Sequence, residues 1–378
     1  METTSFLQTI GSVVVTLFQC PPDNSHAVKM RLIALLLVAG LCDLGLCRTQ
    51  DPFIWLSYLR SRYRTHGALY ADTTGGDCPL ECECPPSYPI AMYCNGRGLR
   101  QVPTVPSRMR YVYLQNNEIS RIQDNAFENA TGLVWLMLHD NQLTSDQVGP
   151  RVFSKLTNLK RLYLDNNLLN HVPSNLPPSI RYLRLGGNNI TTLEEDDFKG
   201  MDDLTILQLQ DNNIEEVGGA LKSLPSLTLL DISGNNLQKV PDLLPERLHQ
   251  LYLQSNSIET VPANFLRKLS QLQFFRLANN QLTDKGIPPN TFNVTGLIEL
   301  DLSYNKLERI PPVSTNLQHL YLQANQIKEF SVGSFCTVVD NRHYSNLRVL
   351  RLDGNEINTD DFPAEAPLCL RLARSIDI

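Results

Sequence analysis

Hydrophobic positions between Met109 and Ile357 recur in one phrase, aliphatic-x-x-aliphatic-x-aliphatic-x-x-Asn-x-aliphatic, repeated eleven times. Leu159-Lys-Arg-Leu162-Tyr-Leu164-Asp-Asn-Asn167-Leu-Leu169 and Leu297-Ile-Glu-Leu300-Asp-Leu302-Ser-Tyr-Asn305-Lys-Leu307 are examples. The two central aliphatic residues of each phrase point inward and their neighbours point out, so each phrase predicts one short strand. A single unit cannot bury its apolar side alone; neighbours must stack to make a continuous core. The ninth position is Asn117, Asn141, Asn167, Asn188, Asn212, Asn235, Asn256, Asn280, Asn305, Asn325 and Asn355. An amide carries two donors and an acceptor, so a column of Asn can satisfy the backbone groups where each strand turns away.

A self-similar period of this kind is the signature of leucine-rich repeats. The expected fold is an α/β leucine-rich-repeat solenoid, a curved right-handed horseshoe with a concave parallel sheet and disulfide caps at both ends. The spacings between the Asn residues run 24, 26, 21, 24, 23, 21, 24, 25, 20 and 30, a short-long-long order. The short repeats hold proline-rich returns at Val172–Ile180, Val240–Leu248 and Ile310–Leu317, which predicts extended or polyproline-like chain there. The long repeats carry a Phe instead, at Phe127, Phe153, Phe198, Phe265 and Phe292, with room for a helical turn. Hence an irregular convex side should back one regular sheet.

The chain has 378 residues and 42% hydrophobic content, ample for one solenoid, and its net charge of −6 gives no electrostatic case for nucleic acid. Cys78, Cys82, Cys84 and Cys94 cluster ahead of the first repeat, and Cys336 and Cys369 flank the last. Zinc sites favour paired C-x-x-C spacings, whereas this uneven cluster follows an export signal, so disulfides are expected. Two bridges near Cys78–Cys94 and one joining Cys336 to Cys369 would cap the solenoid ends. Arg31 precedes the apolar run Leu32-Ile-Ala-Leu-Leu-Leu-Val-Ala-Gly-Leu41, a signal-peptide pattern with cleavage near Cys47 and Met30 as working start. The predicted organisation is an upstream extension plus signal peptide (1–47), a flexible tail (48–77), a capped amino-terminal flank (78–108), repeats (109–335), and a last repeat with carboxy-terminal cap (336–378). No other run approaches membrane-spanning length and no lipid-anchor tail follows Arg374, so a product free in the extracellular space is expected. Sequons at Asn129, Asn189 and Asn293 predict exposed loops bearing N-glycans.

Outward strand positions should build a wall containing Tyr111, Tyr113, Trp135, Tyr163, Tyr182, Tyr252, Phe274 and Tyr321. Charged companions are Arg161, Asp165, Arg184, Asp231, Arg276, Glu299, Asp301, Arg351 and Asp353. Tyr, Trp and Arg dominate binding hot spots, and a long wall suits an extended or large protein ligand. Catalytic readings fare badly. His139, His171, His249, His319 and His343 fall in different repeats without ligand spacing, and no nucleophile motif or phosphate-cradling loop occurs. His319 beside Glu299 reads as a solvated cross-strand pair. The acids Glu194–Asp197 suit a helix N-terminus ahead of Phe198 better than calcium. No enzyme activity, metal or cofactor is expected.

The cluster Cys78-Pro-Leu-Glu-Cys82-Glu-Cys84-Pro-Pro-Ser-Tyr-Pro-Ile-Ala-Met-Tyr-Cys94 resembles the amino-terminal cap of class II small leucine-rich proteoglycans. So do the repeat triplets and the long "ear" repeat ending in Cys369; Ile310–Val313, Phe335–Asp340 and Ala366–Ala373 point to one branch of that class. The resemblance covers about residues 78–378. It implies an extracellular matrix protein that binds fibrillar collagen and regulates fibril assembly, with transforming growth factor-β sequestration as the alternative. It also implies pairing Cys78–Cys84 and Cys82–Cys94, and keratan sulfate on the sequon asparagines. The family's collagen-binding Gly-Asn-Glu-Ile-Lys stretch reads Gly354-Asn355-Glu356-Ile357-Asn358 here, keeping Glu356 and losing the lysine. Class tails rich in sulfated tyrosine sit in acidic context; here only Tyr70, beside Asp72, matches that. A further reading buries the wall in a homodimer. Nucleic acid and membrane insertion are not expected.

Overall fold

The computed structural model describes residues 77–358 and 362–378. Every strand in them joins one parallel sheet, and spatial order follows sequence order throughout. The strands are β1 (Ala91–Tyr93), β2 (Tyr111–Tyr113), β3 (Trp135–Met137), β4 (Arg161–Tyr163), β5 (Tyr182–Arg184), β6 (Ile206–Gln208) and β7 (Leu229–Asp231). They continue as β8 (Gln250–Tyr252), β9 (Phe274–Arg276), β10 (Glu299–Asp301), β11 (His319–Tyr321), β12 (Val349–Arg351) and β13 (Ser375–Asp377). The repeated phrase accounts for β2 to β12. The two end strands come from residues that break the phrase. β1 has Met92 and Cys94 at the aliphatic positions and Arg97 where Asn belongs, and β13 has Ile376 and Ile378 at the aliphatic positions but Ala373 at the first.

The central residue of each strand from β1 to β12 supplies one layer of core: Met92, Val112, Leu136, Leu162, Leu183, Leu207, Leu230, Leu251, Phe275, Leu300, Leu320 and Leu350 are all buried, whereas Ile376 of β13 is exposed. On the far side of that core lie Phe127, Phe153, Phe198, Phe265 and Phe292, also buried. Each repeat is therefore filled by an aliphatic inner layer and, in the long repeats, a ring from the return. The expected helical turn is present in three of those returns: Phe265 opens α1 (Phe265–Lys268), and single 3-10 turns lie at Ser145–Gln147 ahead of Phe153 and Asp284–Gly286 ahead of Phe292. The chain at Phe127, Phe153 and Phe198 itself makes hydrogen-bonded turns, such as Ala130 N–H to the Phe127 carbonyl at 3.0 Å. With so few residues per return, a nucleated helix would have too few internal bonds to offset its cost. The proline-rich returns are turns and extended chain.

The asparagine column ties neighbouring repeats together. The Asn212 amide donates to the carbonyls of Leu185 in the preceding repeat (3.0 Å) and Leu209 in its own (3.0 Å), while its oxygen accepts from Ile190 N–H (3.0 Å). Asn141, Asn167, Asn188, Asn235, Asn256, Asn280, Asn305, Asn325 and Asn355 repeat this pattern. Asn117 reaches into the cap, donating to the Cys94 carbonyl (3.0 Å) and accepting from Arg97 and Leu99 N–H. Both ends carry disulfides, Cys78–Cys84 and Cys82–Cys94 at one and Cys336–Cys369 at the other. Cys369 closes α2 (Ala366–Cys369), and Cys94 and Cys369 are buried in the core. Among the described residues no helix is long and apolar enough to cross a membrane.

Candidate functional site

The register of the sheet sorts its outward residues into two columns. One runs Ala91, Tyr111, Trp135, Arg161, Tyr182, Ile206, Leu229, Gln250, Phe274, Glu299, His319, Val349, Ser375. The other runs Tyr93, Tyr113, Met137, Tyr163, Arg184, Gln208, Asp231, Tyr252, Arg276, Asp301, Tyr321, Arg351, Asp377. Thirteen strands at ~4.8 Å make a wall about 60 Å long. Its two halves differ in chemistry.

The amino-terminal half is an aromatic pavement. Tyr93 stacks on Tyr113 with centroids 4.7 Å apart, and Trp135 meets Tyr111 at 6.2 Å, Tyr113 at 6.5 Å and Tyr163 edge-on at 6.1 Å. The Arg161 guanidinium lies between the Trp135 ring (4.6 Å) and the Tyr182 ring (4.4 Å). Arg184 covers Tyr163 at 5.0 Å and pairs with Asp165 at 3.1 Å. This packing corrects one expectation. Trp135 and Tyr163 keep only 9% and 4% exposure, so they support the face from within and do not present themselves to a ligand. Tyr111, Tyr113, Tyr182 and Arg184 remain half-buried on the surface. Cap residues Tyr88 and Tyr93 also join the pavement, Tyr88 lying 5.6 Å from Tyr111. The sequence signal for Tyr93 was its place after Met92 in a strand triplet, concealed by the missing Asn.

His139 follows the inward Leu138 in its repeat as Asp165 follows Leu164 in the next, so the sheet brings them together. Burial pushes the imidazole below its ordinary value of 6.5, while Asp165 and Asp140 oppose that shift and Arg184 reinforces it. The His139 Nε2 lies 3.8 Å from Asp140. Sequence reading left this histidine among scattered ones because the partners are one repeat apart.

Along the carboxy-terminal half the second column alternates in a cycle of three: Asp231, Tyr252, Arg276, Asp301, Tyr321, Arg351, Asp377. Arg276 lies over Tyr252 at 4.9 Å and pairs with Glu299 at 2.8 Å. Arg351 makes two bonds to Asp353 at 2.8 and 2.9 Å and lies 3.8 Å from Asp377. Asp231 and Asp301 each accept the hydroxyl (2.6 Å) and N–H (3.0 Å) of the serine two residues on, Ser233 and Ser303. Burial raises Asp231 above the usual carboxylate range. Charge on the arginines is reinforced: Arg351 is raised chiefly by its bond to Asp353, and Arg276 is raised by Glu299 against the opposing cost of burial.

Other sequence candidates fall elsewhere. Glu356 sits beyond β12 in the return, exposed and 3.9 Å from Lys328, so it belongs to the rim and not to the wall. Asn129, Asn189 and Asn293 are all exposed in turns or returns. His319 stands directly opposite Glu299 across β10 and β11. The acids Glu194–Asp197 precede a turn, not a helix, and Asp197 accepts Glu194 N–H at 2.8 Å while Asp196 pairs with Lys199. Among the described residues no three His, Cys, Asp or Glu side chains gather as a metal site. Tyr70, the expected signal peptide, Met30 and the expected tail up to residue 76 lie outside the described residues.

A leucine-rich-repeat family model matches residues 107–169 and 178–237, and a second one matches 296–315. Fibromodulin of Bos taurus and of Homo sapiens are each 50% identical over 376 residues, covering 92% of this chain and 100% of their own. Lumican of Gallus gallus is 45% identical over 303 residues, covering 80% of this chain and 88% of its own. Among solved structures, a chain of the octameric complex of Latrophilin 3, Unc5D and FLRT2 superposes with a TM-score of 0.62 at 28% identity, covering 79% of this chain and 83% of that one.

Proposed function

From the premise that this chain belongs to the class II small leucine-rich proteoglycans, alongside fibromodulin and lumican, we propose that it is a non-enzymatic, secreted matrix protein that binds fibrillar collagen and regulates fibril assembly. The observation that carries this reading is the Asp-Tyr-Arg cycle along β7 to β13. Collagen is a stiff rod of polyproline-II strands that exposes prolyl rings and charges along its length. Tyrosine faces pack on proline rings, and Arg and Asp pair with the charges of the rod. A ligand that is already ordered loses little entropy on binding, so a modest contact at each repeat can add up over a long wall. Tyr111, Tyr113, Tyr182, Arg184, Tyr252, Arg276, Tyr321 and Arg351 are the assigned contacts, with Trp135 and Tyr163 positioning them and Glu356 acting at the rim. N-glycans on Asn129, Asn189 and Asn293, extended as keratan sulfate, would stand away from the wall and limit lateral packing of fibrils.

Solid-phase binding to type I collagen, with a turbidity assay of fibril formation, tests the reading. Saturable binding and an altered turbidity curve are expected. No binding together with unchanged turbidity would overturn it.

A further inference from the structure

The residue before each ladder asparagine has a left-handed backbone, because the strand must turn sharply away from the sheet there. The φ angles are +58° at Asn116, +55° at Asp140, +54° at Asn166, +62° at Gly187, +55° at Asp211, +63° at Gly234, +57° at Ser255, +52° at Asn279, +54° at Tyr304, +53° at Ala324 and +73° at Gly354. An L side chain in this region crowds the neighbouring carbonyl, and Gly, Asn and Asp tolerate it best. Ten of the eleven positions are Gly, Asn, Asp, Ser or Ala. Tyr304 is the exception, the bulkiest residue at the least hospitable conformation.

Burial does not compensate for this. Tyr304 is 59% exposed, among the most exposed large side chains of the described residues. Its backbone N–H donates to the Gln323 carbonyl at 2.9 Å, a bond that Ala324 and Asn279 make equally well at their own turns, to Asp353 and Ser303. The turn imposes this conformation at all eleven positions, so what sets Tyr304 apart is a large exposed ring at a turn that elsewhere carries a small side chain. The surroundings say what the ring could take. The next two equivalent positions are Ala324 and Gly354, and a β-carbon added to Gly354 would meet Ala324 at 3.5–3.9 Å. The rim beside the ring is thus a low shelf. At its far side stands Arg351, on β12, which pairs with Asp353.

We infer that Tyr304 is a collagen-contacting residue of the rim, its ring packing against a prolyl ring of a strand that lies over Ala324 and Gly354. This rests on the collagen reading above and deepens it. A flat aromatic face suits a proline ring, a polyproline-II strand has no bulky turn to clear, and the Arg351–Asp353 pair offers both signs of charge to residues beside the proline. Tyr182, Tyr252 and Tyr321 stand on the strands; Tyr304 would extend contact past their carboxy-terminal ends.

The test compares wild type, Tyr304→Asn and Tyr304→Phe, in the full secreted protein, by melting and by type I collagen binding. Asparagine is the residue this chain already uses at three equivalent turns. Tyr304→Asn should melt at or above wild type, by about 2 °C, and bind collagen at least about fivefold more weakly. Tyr304→Phe keeps the ring and should bind as wild type. A Tyr304→Asn protein that melts lower, or binds as wild type, would overturn the inference, as would equal loss in Tyr304→Phe. Wild type that fails to bind collagen ends the parent reading and this one with it. Wild-type binding with Tyr304→Asn unchanged ends this one alone.

Discussion

A single buried amide shows how residue chemistry becomes architecture here. Asn212 holds two carbonyls and one N–H from two repeats; Asn188 and Asn235 also donate to those carbonyls, so Asn212→Ala breaks three bonds but leaves only the Ile190 N–H without a partner. One unsatisfied buried N–H costs about 1–3 kcal/mol, so a loss of about that size is expected in denaturant unfolding. An Asn whose removal costs under about 0.5 kcal/mol would show that packing alone positions the turns. His139 carries a pH signature. Its folded value lies below its unfolded one, so the unfolded chain binds the proton first as pH falls. Stability contributed by the neutral imidazole is complete above the ordinary value of 6.5 and declines as pH drops through it. Melting temperature followed from about pH 7.5 to about 5.5, across the histidine range, should fall, and His139→Gln should flatten that part of the profile.

At the level of elements, the returns are short, irregular and dependent on stacking, so the ends of the array need covalent help. The Cys336–Cys369 bridge closes a loop with a sequence separation of 33. Chain entropy gives such a crosslink about 3–4 kcal/mol. Replacing both cysteines with alanine should speed amide exchange in β12 and β13 while leaving β5 to β7 little changed, since each repeat touches only its neighbours. Uniform acceleration across the array would mean the repeats unfold as one unit. The three-strand cycle on the wall has the same period as the short-long-long returns: Asp231 and Asp301, Tyr252 and Tyr321, and Arg276 and Arg351 occupy equivalent places in successive triplets.

Over the whole molecule the wall offers aromatic surface at one end and alternating charge at the other. Arg351→Ala should weaken type I collagen binding about tenfold, or about 1.4 kcal/mol. Lys239→Ala, an exposed change away from the strands, should leave binding unaffected. Raising salt from about 0.05 to 0.5 M shortens the screening length severalfold and should reduce the charged contribution, leaving an aromatic remainder. Equal loss in both variants would assign the effect to net charge and not to the wall.

Much of this protein is set by its chain alone. The phrase determines which residues point inward, where the strands lie from β2 to β12, and which amides form the column, because each of these follows from local alternation and a fixed repeat length. The end strands were hidden, since Met92 and Cys94 fill the core, and Ile376 pairs with Leu350 at the sheet's end, without completing the phrase. Only stacking decided that Trp135 and Tyr163 are covered, that His139 meets Asp165, that Glu356 stands on the rim, and that Tyr304 projects beside Ala324 and Gly354. These are relations between residues one or more repeats apart, and the physical reason they escape the sequence is that the repeat fixes a residue's register while its neighbours' side chains fix its exposure.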